Sequence, residues 1–232
     1  MLEAATTGGV PLRLLGGVAV RLRVSGELPA SLERSYGDLD FVTIRGSSKD
    51  TQRLFRDLGY EAHTSFNALN SKERLLFFDE ENGRQVDVFV GSFRMCHEIP
   101  LDGRLEVDHT SIPLAELLLT KLQVFELNEK DVRDAVALLH DREVGDADGA
   151  MINGGRVAQL CASDWGLWRT ITHNLDTCRQ RVRNYAVDHD AIEGRFDHLL
   201  ARIHAEPKSR AWRLRAKVGE RKRWYELPEE RG

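Results

Sequence analysis

Apolar positions fall into two regimes along the 232-residue chain. Through about residue 110, short apolar runs of strand length alternate with helical stretches. From Pro113 onward, apolar residues recur only at helical spacing. In the first regime, residues 12–15 are an apolar lead-in and 16–22 read as helix. Residues 39–44, rich in Phe, Val and Ile, read as strand. Residues 47–58 have a helical period, with Leu54, Phe55 and Leu58 on one face and Ser47 or Ser48 as N-cap. Gly59 stands where a helix C′ glycine belongs. Residues 60–66 and 104–107 are further strand candidates. Residues 75–78 and 85–90 predict a hairpin closed by Asp79-Glu80-Glu81-Asn82-Gly83, since Asn-Gly favours a tight turn.

In the second regime, Leu114, Leu117, Leu118, Lys121, Leu122 and Phe125 predict one helix. Val132, Ala135, Val136 and Leu139 form the stripe of another over 129–140. Four further helices are predicted at 156–161, 165–184, 191–205 and 209–224, with Asp164 as an N-cap. The glycine-rich loop 145–155 marks the expected boundary, giving domains of residues 1–145 and 146–232.

Composition narrows the class. With 41% hydrophobic residues a core can form, and with 30% charged residues the surface is soluble. No apolar run reaches the roughly 18–20 residues of a bilayer span. The N-terminus lacks the basic segment of a signal peptide, so the expected location is cytoplasmic, with no membrane partner. Cys96, Cys161 and Cys178 are widely spaced and read as ordinary thiols rather than a disulfide or zinc framework. None of the eight histidines forms HxxxH or HExxH, and no P-loop or GxSxG elbow is present. The net charge of −4 argues against a generic nucleic-acid coat protein. Its distribution is uneven: nine basic residues between Arg202 and Arg223 are opposed only by Glu206 and Glu220. That stretch reads either as a solvated helix surface or as a phosphate-tracking surface for RNA. Trp165 and Trp168 read as core packing.

Candidate chemistry gathers in the first half. Gly16-Gly17 is a glycine turn at which phosphate can approach backbone N–H groups. Downstream, Arg34-Ser35-Tyr36-Gly37-Asp38-Leu39-Asp40 runs into the strand at 39–44. Residues two apart on a strand share a face, so Asp38 and Asp40 form a carboxylate pair suited to Mg²⁺. Asp87 lies within an apolar strand and, if buried, needs a partner. A metal shared with Asp38 and Asp40 is one solution. A hydrogen bond or a pair with Arg84 is the other.

The order GG, then RxxxDxD opening a strand, then a third Asp in an apolar strand resembles the nucleotidyltransferase superfamily with the polymerase-beta-like fold. Thr120-Lys121-Leu122 on one helix and Glu129-Lys130-Asp131-Val132-Arg133-Asp134 opening the next resemble its AbiEii/AbiGii-type toxin branch. The resemblance spans roughly residues 12–141. It implies an α+β nucleotidyltransferase fold, a small mixed sheet flanked by helices, followed by a C-terminal helical bundle. It implies that Asp38, Asp40 and Asp87 hold two Mg²⁺ ions, and that Asp87 helps orient or deprotonate the acceptor. Gly16, Gly17, Arg34, Ser35 and Lys121 would bind the NTP, and Asp131 would be the late acidic residue of the site. One position departs: the branch places Ser or Thr two residues before the first Asp, and this chain has Tyr36.

The activity implied is Mg²⁺-dependent transfer of a nucleoside monophosphate from an NTP, such as ATP, to an acceptor hydroxyl, with release of pyrophosphate. The toxin branch implies an RNA 3′ end such as that of tRNA as acceptor, with the basic 202–223 stretch as its contact, and an antitoxin protein as partner. The alternatives are transfer to a small hydroxylated molecule, as in aminoglycoside nucleotidyltransferases, transfer to a protein hydroxyl, or a catalytically silent binding module.

Overall fold

A five-stranded mixed sheet of order β1-β2-β5-β4-β3 forms the first half of the computed structural model, which describes residues 1–227. Its strands are β1 (Leu12–Leu15), β2 (Leu39–Thr43), β3 (Glu61–Ala62), β4 (Arg74–Asp79) and β5 (Arg84–Val90). β2 and β5 run parallel and the other neighbours antiparallel. The helices here are α1 (Leu2–Thr7), α2 (Gly16–Arg23), α3 (Ser48–Asp57) and α4 (Thr64–Asn70). The fold is therefore α+β around a central mixed sheet, with a helical C-terminal region.

Strand alternation divides the sheet chemically. Phe41, Thr43, Leu75, Phe77, Val86, Val88 and Val90 project to the back and are buried. α3 covers that face: Phe55 stacks on Phe77 at 4.4 Å and meets Phe41 edge-on at 6.0 Å. Thr51 and Phe55 are the buried residues of α3, while Leu58, expected on the same stripe, is exposed. Leu58 is the C-cap of the helix and has already left its period. Gly59 follows at φ +85°, and a Schellman pair of hydrogen bonds closes the end, Tyr60 N–H to Phe55 C=O and Gly59 N–H to Arg56 C=O.

Two strand expectations fail for local reasons. Of residues 60–66 only Glu61 and Ala62 pair with β4. The chain then turns into α4, because the His63 ring accepts the Phe66 N–H as an N-cap. Residues 104–107 are turns rather than strand, with Leu105 buried at their centre. The hairpin β4–β5 forms as expected, with Gly83 at φ +61° in its turn. Buried Asn67 ties α4 to β4: its Oδ1 accepts the Leu76 N–H at 2.7 Å, and its Nδ2 donates to the Leu76 C=O at 3.1 Å.

The chain divides into two compact units. One comprises residues 1–22, 35–93 and 99–113, and the other 23–34, 94–98 and 114–232, of which residues to 227 are described. Along the chain, the last passage from the first unit to the second follows Pro113. The glycine-rich loop contributes two short parallel strands, β6 (Val144–Gly145) and β7 (Ile152–Asn153), to the second unit.

The second unit is built on α5 (Leu114–Leu122), every residue of which is buried. α6 (Glu129–Asp141), α7 (Gly154–Ser163), α8 (Trp165–Arg181), α9 (His189–Ala205) and α10 (Arg210–Val218) follow. Polar caps set the starts: Asn128, Asn153, Asp164, Asp188 and Ser209 each accept N–H groups of the first turn. For that reason α7 and α9 begin two residues earlier than apolar periodicity indicates. α10 stops at Val218, short of the expected 224, because Gly219 adopts φ +59°. Two buried polar contacts hold α5 in place. Glu116 receives Arg156 Nε from α7 at 2.9 Å, and Asn174 of α8 donates to the carbonyls of Leu122 and Val124. Among the described residues, no helix is long and apolar enough to cross a membrane.

We expect Asn67→Ala to lower stability by about 2–3 kcal/mol, because it leaves the Leu76 N–H buried without its acceptor. Chemical denaturation of the variant beside the wild type measures the loss.

Candidate functional site

In the sheet unit, the parallel pairing of β2 with β5 sets Asp40 directly beside Asp87, so both carboxylates stand on the front face, opposite α3. Asp87 is 4% exposed and Asp40 half-buried. Asp38 is exposed on the approach to β2, one residue before the strand begins.

The glycine turn explains where Asp40 sits. Leu15, the last residue of β1, pairs with Asp40, and the chain turns at once into α2. Gly16 makes that turn at φ +73°. A Cβ built on Gly16 would lie 2.0 Å from Asp40 Oδ2, so the carboxylate fills the space that any side chain there would need. Gly17 follows, half-buried, in the first turn of α2. Ser35 is exposed and Tyr36 half-buried on the segment leading to Asp38.

Asp87 is already partnered. Arg74 Nε donates to its Oδ1 at 2.6 Å, and Gln85 Nε2 donates to its Oδ2 at 2.7 Å. Register accounts for both. Gln85 lies two residues away on the same strand, and Arg74, paired with Phe89, reaches Asp87 diagonally from β4. Arg84, weighed as a partner from sequence, instead bonds Asp79 at 2.9 Å.

Mg²⁺ binds through one or two carboxylates together with substrate phosphates, and Asp40, half-buried against Gly16, is a carboxylate of that kind. Among the described residues, no group of three or more His, Cys, Asp or Glu is arranged to hold a metal.

In the helical unit, a second charged cluster joins residues distant in sequence. Arg34 forks onto Asp134, Nε to Oδ1 at 2.8 Å and Nη2 to Oδ2 at 2.7 Å. Lys121 Nζ lies 2.9 Å from Asp134 Oδ2 and 3.6 Å from Asp131 Oδ1. α5 delivers Lys121 from its last turn, and α6 delivers Asp131 and Asp134 from its first turns, one helical step apart. Burial pushes the Asp131 carboxyl above the ordinary range, Lys121 pulls it back and Asp134 adds to the push. From sequence, Asp134 reads as structural or as a partner of Arg133 or Lys130. Arg133 bonds Glu129 instead, and the buried side of α6 carries Asp134 inward. The signal that could have found it was spacing: Asp131 and Asp134 are i, i+3 on the helix after the one bearing Lys121.

The remaining sequence candidates have structural roles. Burial raises the Cys161 and Cys178 thiols to about 12, and all three cysteines are buried and unbridged, which makes them unreactive. Trp212 meets Trp168 edge-on at 5.2 Å, and Trp224 Nε1 donates to Thr170 Oγ1. In the basic stretch, Lys208 caps the carbonyls ending α9, Arg202 pairs with Asp146, and Arg215 lies over the Trp165 ring. Arg210, Arg213, Lys217 and Arg221 remain exposed.

No family model and no curated protein matches the chain. Among solved structures, it is similar to an antigenic nucleotidyltransferase-like protein from Paracoccidioides brasiliensis. The identity is 11% and the TM-score 0.42, over 90% of this chain and 91% of that one.

Two substitutions probe these clusters. Gly16→Ala is expected to displace the Asp40 carboxylate and to cost about 1–3 kcal/mol from the left-handed backbone alone, measured by denaturation. Asp134→Ala removes the buried carboxylate that Arg34 and Lys121 both bond and should cost roughly 3–5 kcal/mol. Asp134→Asn, which keeps an acceptor oxygen, should cost less.

Proposed function

We propose that the chain is a nucleotidyltransferase that moves a nucleoside monophosphate from an NTP to an acceptor hydroxyl. The observation that carries this reading is the placement of Asp40 and Asp87 side by side on parallel strands, with Asp40 seated against the left-handed Gly16. Asp38 and Asp40 would hold Mg²⁺, whose charge draws the triphosphate oxygens and stabilises the leaving group. The backbone N–H groups of the Gly16-Gly17 turn, at the start of α2, would receive phosphate oxygens. The acceptor oxygen bonds to the α-phosphorus, the bond from that phosphorus to the bridging oxygen breaks, and pyrophosphate departs. The acceptor proton passes to water. Positioning and electrostatics supply most of the acceleration in such transfers.

The acceptor we favour is RNA. The exposed cations Arg210, Arg213 and Lys217 of α10 and Arg221, Lys222 and Arg223 after it support this choice, since phosphate-tracking surfaces are built from such residues.

Incubating the protein with Mg²⁺, total RNA and each α-labelled NTP in turn tests the reading. Label is expected in RNA with at least one NTP. Asp40→Asn should reduce incorporation by at least about a hundredfold while leaving the circular-dichroism spectrum unchanged. Full activity in that variant would remove the assignment.

A further inference from the structure

The pairing of Asp87 with Arg74 has no place in a site that uses Asp87 to bind metal. We propose that Arg74 is a built-in cation of the nucleotide site. Anchored by Asp87, it occupies the place of one of two divalent ions, so that the site takes a single ion on Asp38 and Asp40. This inference rests on the transferase reading above.

Three observations carry it. Both oxygens of Asp87 already accept a hydrogen bond, from Arg74 and from Gln85, so a metal would have to displace a donor from a carboxylate that is only 4% exposed. Separating that pair would leave a half-buried guanidinium without its counter-charge, which is costly. Secondly, Arg74 is held on two sides: its guanidinium carbon lies 4.9 Å from the centre of the Phe89 ring while Nε bonds Asp87. Thirdly, the anchor uses Nε alone. Among the described residues no hydrogen bond engages the two Nη groups, which remain to donate to a phosphate oxygen. Arg74 is a quarter exposed, so that end of the fork is within reach of a ligand.

Register makes the arrangement specific. Arg74, Leu76, Gln85, Asp87 and Phe89 share the front face with Asp40, because β4 and β2 flank β5. A cation at residue 74 is therefore placed by the same pairing that places the carboxylates.

Counting bound Mn²⁺ tests the proposal. The wild type is titrated with Mn²⁺ in the presence of NTP analogues whose α and β phosphates are joined through carbon, so that transfer cannot occur. Equilibrium dialysis gives the stoichiometry, and thermal melts without nucleotide give a second readout. One ion per chain is expected for the wild type and for Arg74→Lys, and two for Arg74→Gln. Mn²⁺ alone should raise the melting temperature of Arg74→Gln more than that of the wild type. Two ions in the wild type would overturn the proposal and leave the transferase reading standing. So would a single ion in a folded Arg74→Gln variant. If no analogue binds with Mn²⁺ to the wild type, both the proposal and the transferase reading fall. The wild-type count decides even if Arg74→Gln does not fold.

Discussion

The in-register parallel pairing of β2 and β5 is the constraint on which the sheet unit depends. Side-chain period on a strand is two, so a slip by one residue would send Asp40 to the face covered by α3 while Asp87 stayed in front. The back face guards against that slip. Phe41, Thr43, Val86 and Val88 are all buried there, and Phe55 with Phe77 fills the space between them. Hydrophobic packing on one side of the sheet thus holds the carboxylates on the other. The cost of keeping two acidic groups adjacent is offset locally, by Arg74 and Gln85 at Asp87 and by the missing side chain of Gly16 at Asp40.

The helical unit solves a similar problem by other means. Arg34, Lys121, Asp131 and Asp134 place two cations and two anions together, and Asp134 bonds both cations. A fork on a carboxylate fixes a guanidinium more tightly than a single contact would. Burial outweighs the attraction of Lys121 and holds the Asp131 carboxyl above its ordinary range.

Much of this architecture is legible in the residues. The hairpin, the Gly59 helix stop, the capping role of Asp164 and the strand bearing Asp40 follow from turn chemistry and alternation. The neighbouring strands of Asp40 and Asp87 were also readable, because both residues sit in apolar runs. What escaped notice depends on contacts between distant segments. α4 hides in a stretch of mixed period, and only the His63 cap reveals it. Arg74 looks like an ordinary polar residue at the start of a strand, and its pairing with Asp87 emerges only when β4 is laid diagonally against β5. The same is true of Asp134, whose partner Arg34 is 100 residues away. The change of regime at Pro113 is visible in the apolar spacing, while the glycine-rich 145–155 stretch resembles a linker although its short strands β6 and β7 belong to the second unit.

The Asn67 contact has a consequence beyond stability. β3 covers only Phe77 and Phe78 of the neighbouring strand, and the His63 N–H takes the Leu76 C=O, so the Leu76 N–H would otherwise lie open at the sheet margin. A side-chain amide, with its paired donor and acceptor, stands in for the peptide group of a longer strand there. At that position another copy of the chain finds no open template on which to add a strand, so edge-to-edge aggregation is discouraged by one asparagine.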